Sequence, residues 1–213
     1  MRHRLPVQRL GHITRLPPSA PGMRIGLFGG SFNPAHEGHL LVVEEALRRL
    51  ELDRVWVLVS PGNPLKDHAD LAPLTQRVTE ARRLMRHPGI AVTGIEAERG
   101  FAYTWQTLAF LRRTLPGRKL VWIMGADNLV NFHHWERWRE IAATMPICVY
   151  VRPGSERIAT TARAARALAR FRLPEADAPT LADRDPPAWV YLAGRSSAQS
   201  SSAIRAARQR RAK

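Results

Sequence analysis

From Arg24 onward, short apolar runs alternate with stretches whose apolar side chains recur every three or four residues. That alternation constrains the fold more than any other feature. Arg24–Phe28, Arg54–Val59, Ile90–Ile95, Leu120–Met124, Ile147–Val151 and Ala188–Ala193 read as strands. Helices are predicted over 37–50, 74–86, 104–115, near 135–143, over 155–170 and over 201–210. In the first of these, Val43, Ala46, Leu47 and Leu50 share one face, as a 3.6-residue period requires. His87-Pro88-Gly89 and Pro116-Gly117 end the second and third. Residues 171–187 hold four prolines and read as a loop. Strands that are apolar throughout, interleaved with helices, predict an α/β fold. Its sheet is mostly parallel, with helices on both faces and a helix at the C-terminus.

Sheets of this kind take ligands beyond the carboxyl ends of their strands, where strand order reverses. The two commonest phosphate-binding patterns, GxxxxGK[ST] and GxGxxG after the first strand, are absent from this chain. A nucleotide would have to be held in another way.

Charge narrows the partners. The net charge is +15 over 213 residues. Much of the excess is terminal: residues 1–22 carry four arginines and residues 195–213 five arginines and a lysine, and neither stretch has an acid. Lys66, Lys119 and Lys213 are the only lysines, so the arginine excess is a bias of the whole chain. A solvated basic surface is the plain expectation, and no nucleic-acid partner is expected. Residues 1–22 lack periodic apolar residues and read as a flexible basic extension, with the working start at Met23 and one domain over 23–213. No apolar run is long enough for a membrane span or a secretory core. The single Cys148 excludes an intrachain disulfide and fits a cytoplasmic location.

The densest chemistry lies between the first strand and first helix, in Gly29-Gly30-Ser31-Phe32-Asn33-Pro34-Ala35-His36-Glu37-Gly38-His39. Two glycines let backbone approach a ligand closely. A helix start offers N–H groups and a positive dipole end to an anion. His36 and His39 are three apart, so on a helical turn they share a face, and imidazoles there can donate to phosphate oxygens without full ionisation.

This segment resembles the GGxFxPxHxGH signature of the HxGH nucleotidyltransferase superfamily, whose members are Rossmann-like. Ser200-Ser201-Ser202-Ala203-Ile204-Arg205 resembles its second signature, SSTxIR. Pro64-Leu65-Lys66, Ala102-Tyr103-Thr104, Gly125-Ala126-Asp127 and Phe132-His133-His134-Trp135 resemble the pattern of the bacterial nicotinate mononucleotide adenylyltransferases. The matches run from about residue 24 to 208. The chain departs from the pattern at Asn33, commonly Asp, and at Ser202, usually Thr.

The resemblance implies adenylyl transfer from ATP to nicotinate mononucleotide, giving nicotinate adenine dinucleotide and pyrophosphate, a step in making NAD. His36, His39, Lys66 and Arg205 would be catalytic. Gly29, Gly30, Ser31, Phe32, Gly125, Asp127, Ser201 and Ser202 would bind ATP. Asn33, Tyr103, Thr104 and Trp135 would bind the pyridine nucleotide. Mg²⁺ would be held mainly by ATP phosphates, with no metal cage in the protein. Read without the resemblance, Thr104 is also a plausible helix cap, and Phe132, Trp135 and Trp138 a core stripe. His133 and His134, being adjacent, are expected to point apart. Two alternatives remain: another phosphate acceptor, such as nicotinamide mononucleotide or phosphopantetheine, and a basic nucleic-acid-binding protein.

Overall fold

Val55, Trp56, Val57, Leu58 and Val59 are all fully buried, although successive side chains of a strand face opposite ways. Only a strand inside a sheet covered on both faces allows this. The computed structural model describes residues 11–62, 71–151, 161–195, 197 and 199–211. Its strands are β1 (Arg24–Gly30), β2 (Arg54–Val59), β3 (Ile90–Thr93), β4 (Lys119–Gly125), β5 (Ile147–Val151), β6 (Arg172–Leu173) and β7 (Trp189–Ala193). They form one sheet in the order β3-β2-β1-β4-β5-β7-β6, and every pairing is parallel. The chain winds outward from β1 to β3, then returns to place β4 on the other side of β1. Strand order therefore reverses between β1 and β4, as the predicted Rossmann-like α/β class requires.

The helices are α1 (Gly11–Thr14), α2 (Glu37–Arg49), α3 (Leu74–Leu84), α4 (Ile95–Arg99), α5 (Thr104–Thr114), α6 (Ala126–Asn131), α7 (Trp138–Thr144), α8 (Arg163–Ala167) and α9 (Ser201–Arg211). Val42, Val43 and Ala46 of α2 pack with Val78 and Ala81 of α3 against Val55, Val57 and Val59. On the opposite face, Ile95, Leu108, Leu111, Leu129, Ile141 and Ala164 cover Leu27, Trp56 and Leu58. The central strands thus split their side chains between two cores. Among the described residues, no helix is long and apolar enough to cross a membrane.

Several expectations change. The third strand, expected over Ile90–Ile95, stops at Thr93, because Gly94 caps the short α4. Helix α6 follows β4 directly. Of the predicted 155–170 helix, residues 155–160 lie outside the described residues, and α8 covers Arg163–Ala167. The loop expected over 171–187 holds β6 and a 3₁₀ turn, Glu175–Asp183, that buries Ala178, Leu181 and Ala182. Its ends are tied by Glu175 to Arg49 and by Asp183 to Arg24 and Lys119. Prolines ended the helical period there, but the apolar residues between them still had to be covered.

The N-terminal expectation changes too. Residues 11–22 are joined to the rest: Ile13 and Thr14 are buried, and the Ile13 carbonyl accepts from Gly94 N–H at 2.7 Å and from the Thr93 hydroxyl at 3.3 Å. Helix α1 spans only Gly11–Thr14, too short for a period to be read. Residues 1–10 lie outside the described residues.

Candidate active site

Gly29, near the end of β1, lies against the Trp122 side chain of β4. A Cβ there would lie 2.5 Å from the Trp122 ring, so the close approach of the indole requires glycine. Beyond it the chain turns sharply. Phe32 takes a positive φ of 45°, a strained region for a bulky residue. Its ring is 1% exposed and meets the His39 ring edge-on at 4.9 Å. Phe32, expected to touch ATP, instead supports His39 from beneath.

His36 is the N-cap of α2. Its Nδ1 accepts from Gly38 N–H at 3.2 Å, and His39 Nδ1 accepts from His36 N–H at 3.2 Å. The two rings lie 3.8 Å apart at an interplanar angle of 34°. With each Nδ1 accepting, the proton of a neutral ring resides on Nε2 in both residues. One expectation is corrected here. The first N–H groups of α2 are not available to an anion: Glu37 N–H goes to Gln199 Oε1, Gly38 N–H to His36 Nδ1, and the next two to the His36 carbonyl. The imidazoles themselves are what this helix start can offer.

The last helix docks onto the same turn. Arg205 Nη1 donates to the Asn33 carbonyl at 2.7 Å, and Ser201 Oγ donates to the Pro34 carbonyl at 3.0 Å. Arg205 Nη2 also donates to Ser202 Oγ at 3.3 Å, and Ser200 Oγ caps the helix by accepting from Ala203 N–H. Asn33 Oδ1 accepts from Ala72 N–H at 3.1 Å. Asn33, expected at the pyridine end, therefore ties the loop down and is not among the residues lining the cavity. Lys66 lies outside the described residues.

That cavity, of about 200 Å³, opens beside the turn. Gly29, Gly30 and Ser31 form one wall and Tyr103, Thr104 and Trp135 another. Trp135 separates from its neighbours in sequence: Phe132 and Trp138 are buried core residues, whereas Trp135 is half-buried, meets Phe132 edge-on at 5.5 Å and faces the cavity. Thr104 does not cap α5. The cap residue is Tyr103, and Gln106 Oε1 takes the N–H groups of Ala102 and Tyr103. The N–H groups of Thr104 and Trp105 make no hydrogen bond among the described residues. Gly125 ends β4 and Asp127 is exposed on the first turn of α6, but Asn128 is the α6 residue that lines the cavity. His133 and His134 do not point apart; their rings lie 3.8 Å from each other.

Two residues that no sequence signal singled out also shape the site. Arg77, 1% exposed, donates to the carbonyls of Ala72 (2.8 Å), Ser31 (2.7 Å), Ser60 (2.7 Å) and Pro61 (3.3 Å). It thereby ties together the loops after β1 and β2, and burial lowers its pKa. Glu96, 8% exposed, lines the cavity and accepts at Oε1 from the Thr107 hydroxyl at 2.8 Å. Burial pushes its carboxyl up to about 7, against the smaller opposing effect of that hydrogen bond. Each is one charged residue in an otherwise ordinary helix, and only the fold turns it inward.

The cytidylyltransferase-like family model matches residues 27–207. A Methylorubrum extorquens protein named as a nicotinate-nucleotide adenylyltransferase is 60% identical over 183 residues, covering 86% of this chain and 99% of its own length. A Rhizobium meliloti protein of the same name is 50% identical over 186 residues, covering 87% and 99%. Among solved structures, nicotinic acid mononucleotide adenylyltransferase of Plasmodium falciparum complexed with NaAD matches with a TM-score of 0.61 at 14% identity, over 86% of this chain and 83% of that one. That likeness is one of fold.

Proposed function

Because the chain belongs to the cytidylyltransferase-like family, and within it to the nicotinate-nucleotide adenylyltransferases, we propose that it transfers the adenylyl group of ATP to nicotinate mononucleotide in NAD biosynthesis, releasing pyrophosphate. The observation that carries this is the paired His36 and His39, stacked at 3.8 Å where strand order reverses, each with Nδ1 engaged and its ring proton on Nε2.

On this reading the 5′-phosphate of the mononucleotide attacks the α-phosphorus of ATP in line with departing pyrophosphate, with no covalent enzyme intermediate. Catalysis is then positioning and electrostatic stabilisation. His36 and His39 donate through Nε2 to the oxygens of the transferring phosphate, with Lys66 adding positive charge. Arg205, with Ser201 and Ser202 at the start of α9, holds the leaving pyrophosphate. Gly29, Gly30 and Ser31 let the triphosphate approach β1, and Gly125 and Asp127 meet the adenosine. At the other end, Trp135 stacks on the cationic pyridinium, which favours an aromatic face. Thr104 lines the cavity with Tyr103, and the N–H groups of Thr104 and Trp105 at the start of α5, which make no hydrogen bond among the described residues, suit the pyridine carboxylate.

Among the described residues no three His, Cys, Asp or Glu side chains converge as a metal cage would need. Mg²⁺ would enter as part of the magnesium–ATP substrate, held mainly by phosphate oxygens and water, where it would neutralise charge. The reaction is assigned to the cytoplasm with the rest of the proposal.

The test is pyrophosphate release from ATP with a panel of acceptors. Nicotinate mononucleotide is expected to give the highest kcat/KM, with nicotinamide mononucleotide and phosphopantetheine well below it. Equal or faster turnover of phosphopantetheine, or no release with any pyridine nucleotide, overturns the assignment.

A further inference from the structure

Helix α4 puts one acid against the cavity. Glu96 is more than nine-tenths buried, yet it lines the same space as Tyr103, Thr104 and Trp135. Its Oε1 is held by Thr107, one turn further along α5 from Thr104, while Oε2 has no hydrogen bond among the described residues. Among the described residues no cation pairs with it. Arg99, on α4 itself, lies over the Phe110 ring at 4.8 Å, and Arg137 lies over Trp105 at 4.2 Å. From α3, Arg82 gives its guanidinium to the carbonyls of Val92 and His12, and no ion pair joins His12 or Arg15 of the N-terminal segment to Glu96. The other titratable groups on the cavity wall are Tyr103 and Glu136.

We propose that Glu96 is a specificity-determining residue for the acceptor: as the neutral acid it accommodates the pyridine carboxylate, as the carboxylate it repels it, so that binding the acid mononucleotide, unlike its amide, draws a proton onto Glu96. This rests on the reading of Thr104 and Trp135 as the pyridine end of the cavity. A second negative charge in a poorly solvated pocket disfavours ionisation of the first. By linkage, the substrate that raises the proton affinity of Glu96 binds more weakly once pH exceeds the titration of the free protein. Since that titration is raised to about 7 by burial, the coupling falls in an accessible pH range. Here the acid discriminates between substrates by repulsion, with the amide carrying no charge to sense.

The experiment measures proton uptake calorimetrically, in buffers of different ionisation enthalpy, for nicotinate and nicotinamide mononucleotide binding, together with KM from pH 6.5 to 8.5. Both mononucleotides carry the same phosphate, so the difference between them isolates the pyridine end. Expected are uptake approaching one proton per bound acid near pH 8, none in excess for the amide, and a KM for the acid that rises on the order of tenfold across the range. Glu96→Gln is expected to abolish both the excess uptake and the rise. Thr107→Val removes the hydrogen bond that favours the charged form, so the inflection is expected to move to higher pH; it carries the test if Glu96→Gln does not fold. Identical profiles for parent and Glu96→Gln, or uptake lost in Glu136→Gln instead, overturn the proposal while adenylyl transfer stands. Absence of transfer to nicotinate mononucleotide at every pH overturns the function itself.

Discussion

Arg205 Nη1 donates to the carbonyl of Asn33 at 2.7 Å, a bond that spans 172 residues of sequence and fastens the last helix to the first strand–helix turn. The two stretches that resemble family signatures are thus one structural unit. Half-buried Arg205 is directed at that turn.

Arg205→Ala is therefore expected to lower kcat by about 10²–10³, the usual cost of removing one preorganised donor to developing charge. Arg205→Lys keeps the charge but loses the planar fork that reaches Asn33 and Ser202 together, so it should recover little. Steady-state rates of pyrophosphate release decide this. A lysine variant at near-parental rate would mean that charge alone suffices.

His36 has two separable jobs. As N-cap it satisfies Gly38 N–H, and its loss in His36→Ala should cost about 1 kcal/mol of stability. Asparagine is a good N-cap without an imidazole. His36→Asn should thus keep most of the stability, while both variants lose about 10²–10³ in turnover. Urea denaturation and turnover, measured on the same preparations, would refute the catalytic role if His36→Asn recovered both.

The contact between Gly29 and Trp122 makes a packing prediction. A methyl placed 2.5 Å from the indole must displace it, so Gly29→Ala should destabilise the protein by about 1–3 kcal/mol. Trp122→Phe makes room, and the double variant should be more stable than the sum of the single changes implies. A double-mutant cycle from equilibrium unfolding reads the coupling, and strict additivity would contradict the close approach.

Glu96 should make stability depend on pH even without substrate. Its folded-state pKa is raised from an ordinary 4.5 to about 7. Between those values the folded protein keeps a proton that the unfolded chain has released, so raising pH favours unfolding. The loss amounts to about 3 kcal/mol once pH is above 7. Comparison of Glu96→Gln with the parent across pH 4.5–8 isolates it, because the glutamine variant should lack this slope.

Some of this was legible from residues alone. The apolar runs are parallel strands because residues such as Val55 to Val59 cannot present a wet face, and the Gly29–His39 turn announced itself by residue type and spacing. Trp135, Tyr103 and Thr104 could be picked out beside the cavity because the resemblance fell on them. Other features were silent. Whether Trp135 faces a cavity while Phe132 and Trp138 pack inward depends on a 3₁₀ turn, Phe132–His134, that local pattern does not encode. Whether the first amides of α2 are open to an anion depended on Gln199, far along the chain.

What the sequence determined by itself is the set of short-range facts: hydrophobic period, turn chemistry, and which residues could do phosphate chemistry. The tertiary structure alone decided that Arg77 holds four carbonyls, that Arg205 meets Asn33, and that Glu96, buried, lines the cavity. The reason is physical. Burial and electrostatic environment are set by neighbours distant in sequence, and a charged residue on an amphipathic helix reads the same whether water or a closed cavity awaits it.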